Sequence, residues 1–232
     1  MDRVKALRVS EHLPLPPPFR RGLGGGREEP VVWVFAGDSI THGALHTMGW
    51  RDYTELFRER VVWELQRAQD AVINTAFSGF NTQAILEQYD LRVSRFKPDV
   101  VFIMIGMNDC CEQLVPLPQF VENLRDMAGR IQADGGLPVM QTTCPVISGK
   151  APGREQNLPA YMDSIRQTAV DMSLPLVDHY AHWEKRTEQV RSYLMSDPFH
   201  PNEFGHRAFM QQISRDLGIW DDSSYVCRLF VP

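Results

Sequence analysis

Cysteine is scarce in this chain of 232 residues: there are four, Cys110, Cys111, Cys144 and Cys227. That is too few for a disulfide-built scaffold, and the adjacent Cys110 and Cys111 lack the C-x-x-C spacing of a metal site. The thiols read as reduced, in a cytoplasmic setting. Long apolar runs are missing too. The longest, VVFIMIGM at 100–107, stops well short of the ~18 residues a membrane span needs and reads as a buried strand. The first thirty residues hold no ~7–15-residue apolar segment of a secretory signal, because charges interrupt MDRVKALRVSEH and prolines fill LPLPPP. Export by that route is not expected. Nor is there an excess of positive charge: Lys+Arg 24 against Asp+Glu 29 gives −5, and the basic residues are scattered. A nucleic-acid binder would show a clustered basic footprint.

What is present is an ordinary globular composition, 43% hydrophobic, at a length that suits one α/β domain. Residues 1–29 stand apart. LPLPPPFRRGLGGGREE joins a proline run, which favours an extended polyproline conformation, to a flexible glycine run. This Pro/Gly-rich extension reads as a disordered or loosely docked arm, with packing on its own or a neighbouring subunit as the alternative. The domain proper is expected over 30–232.

From Pro30 onward, short β-branched apolar runs alternate with segments of helical period. The strand candidates are 31–36 (VVWVFA), 71–76 (AVINTA), 99–106 (DVVFIMIG), 137–143 (LPVMQTT) and 174–179 (LPLVDH). Their near-continuous hydrophobicity suits strands buried on both faces. Between them Tyr53, Leu56, Phe57, Val61, Leu65 and Ala68 keep a helical rhythm, as do Phe120, Leu124, Met127 and Ile131. A last helix is predicted from Asn202 to about Leu217, stopped by Gly218. The alternation implies a three-layer α/β/α sandwich around a five-stranded parallel sheet, with chemistry sought just after the strands.

Those strand ends share a pattern. The first candidate strand runs into GDSITHG (37–43), the second into FSGFN (77–81) and the third into GMNDC (106–110), while DPFHP (197–201) precedes the last helix. Each piece alone is weak. Together and in this order they resemble the SGNH hydrolases, the GDSL-type esterases and lipases, over roughly Val31 to Leu217. The resemblance implies a flavodoxin-like strand order, a catalytic Ser39, His200 and Asp197, and an oxyanion hole of Ser39, Gly79 and Asn108.

Elementary chemistry agrees. A serine hydroxyl needs an adjacent base, which His200 supplies, and Asp197 accepts from the other imidazole nitrogen. Pro198 and Pro201 restrict the loop that carries both. The backbone N–H groups of Ser39 and Gly79 and the Asn108 amide can meet a developing oxyanion, and the Gly79 backbone must approach the substrate closely. Among other residues, Asp38 is expected to brace the turn, and Asp109 either to contact substrate or to finish its turn. His42 and His46 are expected to line the loop after the nucleophile. His179 and His182 form at most a weak metal pair, so neither metal nor cofactor is expected. Trp50, Phe80, Met107 and Phe199 are the substrate-binding candidates, with Trp183 as a further apolar residue beside the motifs; core packing is the alternative for each, strongest for Trp183.

The resulting expectation is a serine esterase that forms an acyl-enzyme and acts on short-chain, foremost acetyl, esters of a carbohydrate or other small polar alcohol. The connections Cys110–Pro118 and Pro145–Asn157 are long enough for a shallow pocket only. A lysophospholipase or lipase, or an acyltransferase on the same fold, is the runner-up. Its partner is then a small-molecule ester, with a homo-oligomer left open.

Overall fold

The computed structural model describes residues 30–232, so the extension expected at 1–29 lies outside the described residues. All five expected strands form: β1 Val32–Gly37, β2 Ala71–Asn74, β3 Val100–Met104, β4 Leu137–Gln141 and β5 Leu176–Val177. They pair in parallel in the order β2-β1-β3-β4-β5, which is flavodoxin-like. Central β3 is buried along its whole length. Edge strand β2 departs from the expectation of burial on both faces, since it has a neighbour on one side only and is half-buried.

The helices are α1 Ser39–His42, α2 Tyr53–Arg58, α3 Thr82–Glu87, α4 Tyr89–Arg92, α5 Leu117–Ala133, α6 Leu158–Asp171, α7 His179–Glu184, α8 Glu188–Tyr193 and α9 Glu203–Asp216. A capping box starts α2: the Asp52 carboxylate accepts from the Thr54 and Glu55 amides, and the Glu55 side chain accepts from the Asp52 amide. The helix expected to reach Ala68 widens instead into a π-helical segment, Glu59–Glu64. Gln66 then adopts a left-handed φ of 57°, which turns the chain away and leaves Ala68 exposed. In α5 the expected stripe Phe120, Leu124, Met127 and Ile131 is buried throughout. Asn202 caps α9 by accepting from the Phe204 and Gly205 amides, and Gly218, at φ 66°, ends that segment.

One face of the sheet is covered by α2 and α9, where Phe57 meets Trp33 and Phe35 edge-on, and Phe209 meets Tyr53. Beneath them Phe35 and Phe102 stack at 4.5 Å across β1 and β3. Burial of each such ring contributes about 1.5–3 kcal/mol. The other face carries α3, α5 and α6, with Phe120 packed on Tyr161. No helix among the described residues is long and apolar enough to cross a membrane.

The order of strands positions the site. Connections leave β1 towards β2 on one side, and the sheet then continues from β1 to β3 on the other, which opens a crevice at their carboxyl ends. Ser39 follows β1 there, and Asn108 follows β3.

Candidate active site

At the end of β1 the backbone must pass close to β3: a Cβ on Gly37 would lie 2.4 Å from the Met104 carbonyl oxygen. Ser39 then opens the single turn α1, which closes at Gly43 (φ 66°) with a bond from the Gly43 amide to the Ser39 carbonyl. Asp38 braces this turn through Oδ1, which accepts from the Ile40 amide at 2.9 Å. Its Oδ2 is buried with no hydrogen-bond partner, and burial pushes the carboxyl up to about 7.

His200 comes from the loop between α8 and α9. Asp197 organises that loop: its Oδ1 accepts from the amides of Phe199 (3.0 Å) and His200 (2.9 Å). Its Oδ2 accepts from His200 Nδ1 at 2.7 Å. That bond leaves Nε2 as the acceptor in the neutral ring, and Ser39 Oγ lies 2.8 Å from it. Burial alone would raise Asp197, but the two amides and the imidazole more than offset it and hold the carboxyl below its usual range. Burial lowers His200 below the ordinary imidazole value, against the opposing pull of Asp197.

The turn after β2 is tied to both neighbours. Phe77 donates its amide to the Gly37 carbonyl at 3.1 Å, and His42 bonds Ser78 at 3.1 Å. Asn108 donates through Nδ2 to the Phe80 carbonyl at 2.8 Å. A carboxamide carries two N–H groups, so this bond orients the second one. Gly79 sits at φ 86° with nothing within 4 Å of where a Cβ would stand. Glycine is required there by the left-handed backbone, not by crowding. Among the described residues, neither the Ser39 nor the Gly79 amide has a hydrogen-bond partner.

The apolar candidates separate. Phe199 is half-buried beside His200, ring centroids 4.4 Å apart. Phe80 lends the site its carbonyl, while its own ring is buried against Phe77 and Arg92. Met107 is 1% exposed and Trp183 0%, which corrects their placement beside the pocket: both are core. In the turn after β3 Asn108 is half-buried, whereas Met107 before it and Asp109 after it are buried. Trp50 is 59% exposed on the loop after α1, and among the described residues it makes no ring contact with the Ser39 and His200 pair. Asp109 finishes its turn and is fully buried; its Oδ1 accepts from the Thr82 amide and hydroxyl at 2.8 and 2.6 Å.

His46 is closer to the chemistry than its place in the sequence suggests. Its ring lies parallel to that of His200, centroids 3.4 Å apart at 4°, and its Nδ1 is 3.6 Å from Asp197 Oδ2. Burial lowers His46 below the ordinary imidazole value, against the opposing pull of Asp197. His179 is fully buried, bonded through Nε2 to Gln141 and pushed down to about 3 by burial. Burial pushes His182 down to about 4, with the nearby Arg186 and Lys185 adding to the shift. Neither belongs to a cluster of metal-binding side chains; among the described residues the one such cluster is His46, Asp197 and His200.

A hydroxyl, an imidazole and a carboxylate in one hydrogen-bonded chain, with the unpaired Ser39 and Gly79 amides on the turns after neighbouring strands, are the parts that acyl transfer uses. The GDSL-like lipase/acylhydrolase family profile matches residues 35–208. This chain belongs to that family. It is a GDSL-type esterase, a hydrolase of carboxylic esters. An isoamyl acetate-hydrolyzing esterase of Saccharomyces cerevisiae is 22% identical over 200 residues, covering 78% of this chain and 83% of its own. An uncharacterized protein of Mycoplasma pneumoniae is 36% identical over 78 residues, but the match spans only 9% of that protein. Among solved structures, Axe2, an acetylxylan esterase from Geobacillus stearothermophilus, aligns with TM-score 0.68 at 23% identity over 81% of this chain and 94% of its own. LAE5, an enzyme from the metagenome of Lake Arreo, aligns with TM-score 0.70 at 20% identity, covering 83% of this chain and 97% of its own. At these identities the structures share the fold.

Proposed function

We propose that the enzyme hydrolyses short-chain acyl esters, foremost acetates, of a carbohydrate or other small polar alcohol through an acyl-serine intermediate. The observation that carries this reading is the unbroken chain from Ser39 Oγ to His200 Nε2 (2.8 Å) and from His200 Nδ1 to Asp197 Oδ2 (2.7 Å). His200 takes the hydroxyl proton as Ser39 attacks the acyl carbon, and Asp197 holds the imidazole in the tautomer that can do so. The oxyanion is met by the Ser39 and Gly79 amides and by the Asn108 N–H that Phe80 leaves free. His200 returns the proton to the departing alcohol, and water, activated by the same base, releases the acid. The acetate half of the reading is supported by the yeast relative, an isoamyl acetate-hydrolyzing esterase, and the Geobacillus neighbour, an acetylxylan esterase. We also propose a cytoplasmic setting, on the ground that all four thiols are free.

One observation favours the lysophospholipase reading as a second. Leu45, Met48 and Trp50 are 74%, 86% and 59% exposed on the loop whose His46 covers His200, an apolar rim that a longer chain can lie against. Rates over p-nitrophenyl esters of increasing length, run beside acetylated sugars, separate the two. We expect kcat/KM to peak at acetyl to butyryl and to fall about tenfold at octanoyl, ~1.4 kcal/mol in transition-state binding. A steady climb to decanoyl replaces the first reading with the second.

A further inference from the structure

Arg154 stands beside the catalytic groups with its charge unspent. It lies on the connection between β4 and α6, and that connection is pinned on both sides. Ile147 donates its amide to the Pro198 carbonyl at 2.9 Å, Gly153 accepts from the Glu112 amide at 2.7 Å, and Asn157 donates to the Cys110 carbonyl at 3.0 Å. Arg154 itself bridges the two segments that bear Asn108 and His200. Its Nε donates to the Met107 carbonyl at 3.2 Å, and its guanidinium carbon sits 4.1 Å from the centre of the Phe199 ring. Phe199 in turn packs against His200 at 4.4 Å.

These two contacts hold the guanidinium by its inner nitrogen and by its face. Nothing holds its outer edge. Among the described residues Arg154 forms no ion pair, and Nη1 and Nη2 make no hydrogen bond. Contrast Arg166, half-buried like Arg154, whose nitrogens are taken up by Asp163 and Asp178. A guanidinium immobilised by stacking, with two outer nitrogens left over, is a fork that matches a carboxylate in two parallel bonds. Its position also fixes which half of the ester it meets. His200 must face the oxygen that it protonates on departure, so Phe199 and the Arg154 fork above it flank the alcohol half.

We propose that Arg154 binds a carboxylate carried by the alcohol half of the ester, so that the preferred substrate is an O-acylated hydroxy acid. This rests on the acyl-serine reading of Ser39 and His200, and it narrows the polar alcohol to an anionic one. The test uses matched pairs, from acetoxyacetate to 4-acetoxybutanoate, each beside its neutral primary amide, with acetate release as the readout. For wild-type enzyme the acid is expected to exceed the amide in kcat/KM by about tenfold or more at one length at least. Arg154→Met brings that ratio close to one, and Arg154→Lys keeps part of it, because a point charge remains without the fork. A wild-type ratio at or below one at every length overturns the proposal. So does an Arg154→Met enzyme that loses acid and amide rates in equal proportion, which is the mark of a loop-holding role. Should Arg154→Met fail to fold, the wild-type ratio decides alone: it must fall as salt rises from about 20 to about 500 mM, and a ratio indifferent to salt overturns the proposal. If neither member of any pair is hydrolysed, the esterase reading itself has failed, a result separate from a lost preference.

Discussion

Replacing Asn108 by alanine removes one oxyanion donor and leaves the Ser39, His200 and Asp197 chain untouched. The magnitude follows from the geometry. One Asn108 N–H is committed to the Phe80 carbonyl at 2.8 Å, so the other is held in place before any substrate arrives. A preset donor of this kind is worth about 2.7–4 kcal/mol in the transition state, or roughly 10²–10³ in kcat. The ground-state carbonyl gains little from it, so KM should move by less than about threefold. The structural cost is separate and small. The Phe80 carbonyl loses a partner at a half-buried site, about 1 kcal/mol, which for a domain of this size lowers Tm by roughly 2–4 °C. Steady-state kinetics on p-nitrophenyl acetate, with a melting curve on the same preparation, separates the two effects. Asn108→Asp should be worse still, because it turns a donor into an acceptor and sets a charge beside the oxyanion. An Asn108→Ala enzyme within threefold of wild-type kcat refutes the assignment. So does a loss wholly accounted for by unfolded protein.

Ser39→Ala should abolish hydrolysis, by ~10⁴–10⁶ in kcat, with Tm nearly unchanged; a tenth of wild-type turnover would remove Ser39 as nucleophile. Hydrolysis should rise with pH along a limb whose midpoint lies below the ordinary imidazole value of about 6.5, because burial lowers His200 and only its neutral form accepts the Ser39 proton. The rate should survive chelation by EDTA, and loss of activity restored by a divalent ion would overturn the metal-free reading. His46→Ala should shift that limb upward towards 6.5, since it rehydrates the ring face that His46 covers at 3.4 Å, whereas His46→Phe keeps the cover and the low midpoint. A pH profile indifferent to both substitutions would reduce His46 to packing.

How much of this was legible in the sequence depended on whether the signal was local. The strands were readable because β-branched apolar runs bounded by Gly, Pro and Asp have few other uses. The stripe from Phe120 to Ile131 was readable because a helix repeats its burial every turn. Ser39, His200 and Asp197 could be named from short motifs whose turns are built by their own residues. What escaped was tertiary. Nothing near His46 announces that its ring will lie on one that is far away in the chain, and nothing near Arg154 tells that its outer nitrogens go unpaired. Met107 and Trp183 were misplaced for a related reason: standing next to a motif in sequence does not set the direction of a side chain. The π-helical segment Glu59–Glu64 has no pattern of its own, so the expected helix ran on to Ala68.

The same distinction bears on how the centre keeps its geometry with all four cysteines free. Its parts come from separate connections, and a misplacement of about 1 Å costs on the order of 10²-fold in rate. The hydrogen bonds that set the distances run from one turn to the next, Phe77 to Gly37, Asn108 to Phe80, Thr82 to Asp109 and Ile147 to Pro198, while Ser196 closes the His200 loop on itself through the His200 carbonyl. Each of these bonds uses at least one backbone atom, and Asn108 and His200 are held besides by their own side-chain bonds to the Phe80 carbonyl and the Asp197 carboxylate. Asp109 shows what this implies. Its carboxylate touches no reacting atom, yet it takes both the amide and the hydroxyl of Thr82, the first residue of α3, directly behind the Gly79 turn. Asp109 is fully buried and has no surface to offer a substrate. The Gly79 turn nonetheless depends on it, because that turn is fixed at one end by Phe77 and at the other by Thr82.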